Sequence, residues 1–292
     1  MFGRMRIKKS MKTYLDKIQT LKAWLKDADA ILIGAGSGFS TAAGLEYSGS
    51  RFERYFADFK KKYGITDMYS GGFYPFPDAE TYWAWWSSHI WYNRYETNVN
   101  EVYKVLRKLI GEKPYFVITT NVDNQFQLNG FENAKIFCPQ GDYGLLQCSK
   151  GCHTKTYDNK ELIREMVHCQ KAMRVPSSLI PCCPICSSPM IPHLRCDDTF
   201  VQDEAWYEAE KAYEKFLEEY EGKKLLLLEM GVGMNTPTWI KFPFWRITYA
   251  NSEARLVAVN KEREYLPEEI KSRSIYLDED IAVVLKTVGE NL

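Results

Sequence analysis

The chain has 292 residues, enough for one large domain or for a core domain that carries a smaller inserted one. Its 38 basic and 38 acidic residues balance, and no long run of one sign follows the basic start MFGRMRIKK, so the charge pattern of a nucleic-acid binder is missing. No stretch approaches the roughly 20 apolar residues that cross a bilayer. We therefore expect a soluble, cytoplasmic protein with no nucleic-acid or membrane partner.

Regular elements dominate both ends of the chain. Leucine and isoleucine recur at three-to-four spacing between positions 15 and 25, which predicts an amphipathic helix over about 11–28. The stretch ADAILIGAGSGFSTAAGL (28–45) is typical of a buried strand, a glycine-rich turn and a helix start. Further strands are predicted at 115–119, 225–229, 256–259 and 275–277, most of them separated by enough chain for a crossover helix. The predicted fold class is α/β, with a Rossmann-like parallel sheet.

Two segments interrupt this pattern. Residues 51–111 are aromatic-rich and helical with a break at GGFYPFPD (71–78), and 143–200 combine most of the cysteines with one predicted helix at about 160–173. We expect them to form an inserted smaller lobe, made of a helical segment and a zinc-binding module. The predicted division is 1–50, 112–142 and 222–292 for the Rossmann-like domain, and 51–111 and 143–221 for the small lobe.

The glycine-rich turn GAGSG (34–38) fits the approach of a phosphate. Glycine allows positive φ and close contact, and the following helix offers unpaired amides at its N-terminus. Such glycines also serve as ordinary strand-to-helix turns, and the spacing departs from G-x-G-x-x-G. Glu53 lies near the distance along the chain expected of a ribose-binding carboxylate but follows no predicted strand, so it is left unassigned.

The cysteines are confined to one region, since all eight lie between Cys138 and Cys196. Cys148-x3-Cys152 and Cys183-x2-Cys186 form two short pairs whose four thiolates suit a closed, structural zinc site. Cys182 competes with its neighbour Cys183, although the spacing favours Cys183. The alternative is a set of buried thiols or a single redox pair.

An ordered series of motifs then gives a family resemblance. It consists of GAG (34–36), TTNVD (119–123), QGD (140–142), the two cysteine pairs, GVGMNTP (231–237) and VN (259–260). The series resembles that of the sirtuins, which carry GAG, Thr-Gln-Asn-Ile-Asp, His-Gly, four zinc cysteines, Gly-Thr-Ser and a late Asn. A glutamine in place of the histidine, two extra residues after the GAG turn and the aromatic block are similar to the macrodomain-linked bacterial branch, whose members are protein ADP-ribosyltransferases.

The resemblance implies NAD as co-substrate, Zn²⁺ as structural metal, and a set of site residues. Tyr47 and Arg51 stand only near the replaced Pro-Asp-Phe-Arg segment of the family. The implied catalytic residues are Asn121, Asp123 and Gln140. The implied cofactor-binding residues are Gly34, Ala35, Gly36, Ser40, Leu45, Tyr47, Arg51, Thr120, Asn121, Asp123, Gln140, Gly231, Val232, Gly233, Asn235, Asn260, Asp280 and Ile281. The metal ligands are Cys148, Cys152, Cys183 and Cys186. Helix capping is the alternative role for Asn121, Asp123 and Asp280.

The glutamine at position 140 decides between reactions. In deacylating sirtuins the histidine acts as a base, a role typically worth about 10² to 10⁴ in rate, and a glutamine amide cannot supply it. Nicotinamide departure needs no base, and Gln140 can still hydrogen-bond the ribose hydroxyls while a partner protein brings the nucleophile.

The resemblance also implies partners. They are a lipoylated carrier of the glycine-cleavage-H type as target, with functional links to a macrodomain ADP-ribosyl hydrolase and a lipoate-protein ligase. Two alternatives stay open: a residual NAD-dependent deacylase or NAD glycohydrolase, and a sensor that binds NAD or ADP-ribose without turnover.

Overall fold

A computed structural model describes residues 2–234, 237–262 and 265–290, with side chains from residue 13 onward. A sheet of six parallel strands forms its centre. The strands are β1 (Ala30–Ala35), β2 (Tyr115–Thr119), β3 (Ile136–Phe137), β7 (Leu225–Met230), β8 (Arg255–Val259) and β9 (Ser274–Leu277). Their spatial order is β3-β2-β1-β7-β8-β9. Almost every residue in them is buried, which explains their continuous apolar runs.

Alternate residues of each strand enter two different cores. Ile31 and Ile33 belong to one core, and Leu32 between them belongs to the other. The first core is covered by α1 (Phe2–Asp27), α6 (Glu101–Ile110) and α11 (Ile281–Gly289). The second is covered by α9 (Glu204–Glu219) and α10 (Lys241–Ala250). The large domain therefore has three layers.

The small lobe joins helices to a three-stranded antiparallel sheet in the order β5-β4-β6. The strands are β4 (Gly141–Cys148), β5 (Tyr157–Asp158) and β6 (Met190–Leu194). The helices are α3 (Gly49–Tyr63), α4 (Met68–Gly72), α5 (Ala79–Ile90) and α8 (Lys160–Cys169), and a π-helical turn, Trp91–Tyr95, continues α5. Aromatic side chains such as Phe56 and Trp85, both fully buried, form the core of this lobe.

Short helices complete the chain. They are α2 (Ser37–Ala42), α7 (Gln125–Leu128) and 3₁₀ turns at Asn133–Lys135, Ser177–Leu179 and Glu268–Arg273. Within the described part of the chain, none of the helices has both the length and the apolar character that a membrane span requires.

The predicted α/β class with a parallel sheet and an inserted lobe is confirmed. The helix predicted over about 160–173 is too long: α8 ends at Cys169, because Ala172 and Met173 take positive φ in a turn closed by Lys171 and Arg174.

The division into domains stays a proposal, and two helices bear on its boundaries. The predicted division gives 101–110 and 204–219 to the small lobe, whereas α6 and α9 both pack on the large sheet. Their apolar faces match the strands beside them, so the packing favours moving both helices into the large domain.

Candidate active site

The candidate site lies at the carboxyl ends of the parallel strands. From β1 the chain moves outward to β2 and β3, and it later returns to β7 on the other side of β1 before reaching β8 and β9. Loops after β1 and β7 therefore diverge and open a crevice, which is where ligands bind in open α/β sheets. The predicted residues fall after β1, β2, β3, β7, β8 and β9 in turn.

Two glycine turns interlock at this crevice. The Gly38 amide donates to the Gly231 carbonyl (3.0 Å), and Gly231 has φ of +64°. A Cβ on Gly36 would lie 2.5 Å from the Gly231 carbonyl oxygen, and one on Gly38 would lie 2.7 Å from Gly231 Cα. The contact between the two turns is thus sufficient reason for glycine at positions 36 and 38, which is the structural role that such turns also have without a ligand.

Gly34 has a different reason to be glycine. A Cβ there would lie 2.3 Å from Ile240 Cγ2 and 2.7 Å from Phe244 Cζ, so Gly34 makes room for α10 beneath the crevice. The side chains of Ala35, Val232 and Ile281 are likewise buried in the cores. At these four positions, contact with a ligand would have to come from the main chain.

Ser40, Asn121 and Asp123 form one hydrogen-bonded group. Asn121 Nδ2 donates to the Gly36 carbonyl (2.9 Å) and to Ser40 Oγ (3.0 Å), and Ser40 Oγ donates to Asp123 Oδ2 (2.5 Å). The group joins the turn after β1 to the loop after β2. Burial raises the pKa of Asp123, although hydrogen bonds from Ser40 and from the Gln125 amide oppose the shift.

Capping accounts for only part of these contacts. Asp123 Oδ1 accepts from the Gln125 amide (3.2 Å), but the cap position of α7 is Asn124, whose side chain makes no cap hydrogen bond. Thr120 continues the loop by donating its amide to the Ala35 carbonyl (3.1 Å). The Asn121 side chain is therefore turned toward the GAG turn, and the Ser40 hydroxyl toward Asp123, rather than toward a helix end.

Gln140 is half-buried in the loop between β3 and β4. Its carbonyl accepts from the Arg195 amide (3.0 Å), while Arg195 Nε donates to the Pro139 carbonyl (3.1 Å) and the guanidinium stacks on Phe200 at 4.2 Å. The following Gly141 has φ of +102°, and a Cβ there would lie 2.0 Å from the His193 carbonyl oxygen. The backbone around Gln140 is thus held on both sides. Nothing in the sequence pointed to Arg195.

Leu45, Tyr47 and Arg51 lie between the GAG turn and the small lobe. The Leu45 amide closes α2 by donating to the Ser40 carbonyl (2.9 Å). Arg51 donates to Asn93 Oδ1 (2.7 Å) and to the Tyr92 carbonyl (2.6 Å), so its guanidinium anchors α3 on the π-helical turn. Glu53, left unassigned above, is exposed on α3 and pairs with Lys60.

The far end of the crevice follows β8 and β9. Asn260 comes after β8, where its Oδ1 accepts from the Lys261 amide (2.9 Å), and Lys261 Nζ pairs with Asp280 Oδ2 (3.0 Å). Asp280 also caps α11 through the Ala282 amide (2.8 Å), so the predicted capping role is present. Gly233 faces open space, and Asn235 lies outside the described residues.

A buried ion pair lies just below the second glycine turn. Lys241 Nζ contacts Glu229 Oε1 at 2.5 Å, with the two side chains 2% and 3% exposed. Sequence reasoning missed it, although a carboxylate inside the apolar run LLLLEM was an available signal.

The four predicted metal ligands meet in one cluster. Their sulfur atoms all lie within 4.8 Å of one another, with Cys148 to Cys186 at 3.5 Å and Cys152 to Cys183 at 3.6 Å. Tetrahedral Zn–S bonds of about 2.3 Å would separate the sulfurs by about 3.8 Å, so the cluster fits zinc. Cys182 is exposed beside it, and a hydrogen bond from the Ser188 side chain lowers the pKa of Cys186 to about 6.

Comparison with curated proteins gives the family. The chain is 38% identical over 274 residues to a protein ADP-ribosyltransferase of Staphylococcus aureus, covering 94% of this chain and 87% of that protein. A crystal structure of a Sir2 homologue in complex with NAD has the same fold, with a TM-score of 0.61, 14% identity, and coverage of 94% of this chain and 93% of that one. This chain belongs to the protein ADP-ribosyltransferases and has the sirtuin fold.

A second relative of this chain comes from a fungus. It is a probable bifunctional ADP-ribose hydrolase/ADP-ribosyltransferase of Fusarium oxysporum f. sp. cubense, 34% identical over 237 residues. These residues make up 76% of this chain but only 38% of the fungal protein. No protein-family profile matches the chain.

Proposed function

We propose that this protein transfers ADP-ribose from NAD to a partner protein and releases nicotinamide. One observation carries the proposal: Gln140, half-buried in the loop after β3, occupies the motif position where deacylating sirtuins carry their histidine base. The relatives in bacteria and fungi, both named as ADP-ribosyltransferases, support the same reaction class.

The residues of the crevice fit NAD. The two interlocked glycine turns carry no side chains that would keep a diphosphate from the main chain, and the Asn121–Ser40–Asp123 group lies where the nicotinamide ribose is expected. Asn260 and Asp280 follow β8 and β9 and are suited to the adenosine half. Polar groups for both halves of a dinucleotide are therefore present after successive strands of the sheet.

The reaction requires one bond to break and one to form. The bond between the ribose C1 and the nicotinamide nitrogen breaks, and its electron pair leaves with nicotinamide. An oxygen of a partner carboxylate, already ionised at neutral pH, forms the new bond to C1. Asp123 supplies negative charge near the developing ribosyl cation, and Asn121 holds the turn beside it.

Gln140 takes a positioning role in this scheme. An amide can donate to one ribose hydroxyl and accept from the other, which orients the sugar for attack. The amide has no useful basicity near neutral pH. It would therefore not take a proton from a ribose hydroxyl, which is the step that lets the hydroxyl attack an acyl group in deacylation. Arg195 and Gly141 fix the backbone on both sides of Gln140 and thus limit the positions that its side-chain amide can take.

Zinc would serve structure in this enzyme. Four thiolates complete a tetrahedral shell and leave no position for substrate, so the metal would tie together the loops of the small lobe.

The partner and the cellular setting are proposed from the resemblance. A lipoylated carrier of the glycine-cleavage-H type is the proposed target, in the cytoplasm, with a lipoate-protein ligase as functional neighbour. The fungal relative, with its name pairing an ADP-ribose hydrolase and a transferase, supports a link to a macrodomain hydrolase that would reverse the modification.

The test is incubation of the purified enzyme with NAD and a candidate carrier, with and without its lipoyl group, followed by mass spectrometry. We expect a carrier heavier by one ADP-ribose and an equal amount of released nicotinamide. Release of nicotinamide without a modified carrier would indicate an NAD glycohydrolase, and binding without release would indicate a sensor.

A pair of variants at position 140 separates transfer from deacylation. Gln140→His restores the base and should gain turnover of acylated peptides, whereas Gln140→Leu should gain none and should weaken transfer. Removal of acyl groups by the unaltered enzyme, with the carrier left unmodified, would contradict the proposal.

A further inference from the structure

A chain of three side chains connects the core of the small lobe to the crevice. His89 Nε2 lies 2.8 Å from the Tyr143 hydroxyl, and the Tyr143 hydroxyl lies 3.0 Å from the Tyr47 hydroxyl. His89 is 1% exposed and Tyr143 is 6% exposed, while Tyr47 is half-buried at the junction of the lobes. The chain thus runs outward from α5, through the start of β4, to the loop after α2.

The middle of the chain is hydrogen-bonded to the loop that carries the proposed catalytic group. The Tyr143 amide donates to the Val122 carbonyl (2.9 Å), between Asn121 and Asp123. Burial raises the pKa of Tyr47, and the charge of Asp123 adds to the shift. Both tyrosine hydroxyls stay protonated at neutral pH.

His89, the inner end of the chain, determines the direction of the hydrogen bonds along it. Burial, with the Arg51 charge, lowers the pKa of His89 to about 3, so the ring is neutral and carries one N–H. Nδ1 is buried without a hydrogen-bond partner among the described residues. A buried N–H without an acceptor is rarer than a buried acceptor without a donor, so the proton belongs on Nε2.

The direction of each hydrogen bond follows from this tautomer. His89 Nε2–H donates to Tyr143, Tyr143 donates to Tyr47, and the hydroxyl proton of Tyr47 remains available for an acceptor outside the chain. The opposite tautomer would leave Tyr47 as an acceptor. The buried imidazole therefore sets whether the crevice meets a donor or an acceptor at position 47.

We propose that Tyr143 and His89 are positioning residues that fix the Tyr47 hydroxyl as a hydrogen-bond donor to an acceptor oxygen of the bound dinucleotide. The inference rests on the proposed function, because it takes NAD as the ligand of the crevice. The inference specifies that Tyr47 donates, rather than accepts, the hydrogen bond to the dinucleotide. It also gives a role to His89 and Tyr143, which the site motifs do not include.

The first test reads the tautomer of His89 directly in the unaltered protein. In protein labelled with ¹⁵N at histidine, the four histidines give few signals, and a comparison spectrum of His89→Asn assigns the one from His89. We expect the Nε2–H tautomer, and a proton on Nδ1 would overturn the inference.

The second test is the affinity for NAD, measured by calorimetry in the absence of turnover. Tyr47→Phe should weaken NAD binding about threefold to tenfold, the range of one hydrogen bond. Tyr143→Phe should weaken it in the same direction, because Tyr47 can then turn its hydroxyl away. Tyr47→Phe with Tyr143→Phe should lose no more than Tyr47→Phe alone, since Tyr143 acts through Tyr47.

The matched control is Tyr115→Phe, which removes another buried hydroxyl, hydrogen-bonded to the Glu132 amide at 3.1 Å, at the end of β2 opposite the crevice. It should leave NAD affinity unchanged. Unaltered affinity in Tyr47→Phe, or equal effects of Tyr143→Phe and Tyr115→Phe, would overturn the inference alone. Absence of ADP-ribose transfer in the unaltered enzyme would instead overturn the proposed function.

Discussion

The buried pair of Lys241 and Glu229 gives a prediction about stability. Each side chain is almost fully excluded from solvent, so removing one partner leaves a charge in a region of low dielectric. Lys241→Met should destabilise the protein by about 3–5 kcal/mol, which at roughly 2 °C or more per kcal/mol lowers the midpoint of thermal unfolding by at least about 6 °C. Glu229→Leu should have an effect of the same order.

Replacing both partners separates the effect of an uncompensated buried charge from the effect of lost packing. Glu229→Leu combined with Lys241→Met buries two apolar side chains of similar size, and such exchanges are often neutral or stabilising by about 1–4 kcal/mol. The double variant should therefore recover most of the loss. Lys271→Met is the control, because Lys271 pairs with Glu268 at the surface and contributes little.

The assay is urea unfolding followed by far-UV circular dichroism, with NAD affinity measured in parallel. Glu229 precedes Gly231 by two residues, so the single variants should also weaken NAD binding through the second glycine turn. The reasoning is refuted if Lys241→Met costs no more than Lys271→Met, or if the double variant is as unstable as the singles.

Three further predictions concern the site and the metal. Asp123→Asn should abolish transfer. It should also raise the free energy of unfolding at neutral pH, because burial disfavours the ionised carboxylate and raises its pKa in the folded state. This gain in stability should vanish as the pH falls below the ordinary pKa of Asp. Gly36→Ala should abolish NAD binding, because its Cβ would lie 2.5 Å from the Gly231 carbonyl oxygen, whereas Gly72→Ala, with contacts no closer than 3.4 Å, should bind normally. Cys148→Ser, or a strong chelator, should release about one equivalent of zinc and unfold the small lobe.

Each of these has a contrary outcome. An Asp123→Asn variant less stable than the parent at neutral pH would show that its charge is well solvated. Normal NAD affinity in Gly36→Ala would mean that the two turns can separate. A preparation with no bound metal and an unchanged small lobe would favour buried thiols over a zinc site.

The large sheet could be predicted because its signals are local. The strand at Tyr115–Thr119 and the turn after β1 lie in short apolar runs that end in glycine or polar residues, and each run is buried on both faces. The end of α8 could not be predicted in this way, since positive φ at Ala172 and Met173 depends on the turn that closes behind them.

The site could be predicted only in part. The motifs predict Asn121 and Gln140 as candidate site residues, and the structure brings Asn121 into contact with the GAG turn. Arg195 and Tyr143 act through contacts with residues tens of positions away, and single-sequence patterns carry no such information. Glu229 was recognisable as a charge in an apolar strand, but its partner was not.

Strand β4 has a mechanical consequence for the enzyme. Its eight residues begin at Gly141, directly after Gln140, and end at Cys148, the first residue of the cysteine cluster. A strand of this length extends about 23 Å at roughly 3.3 Å per residue. Loss of the metal, or oxidation of the sulfur cluster, would therefore disturb the strand that begins beside Gln140, so damage to the small lobe would reach the crevice without any contact with the substrate.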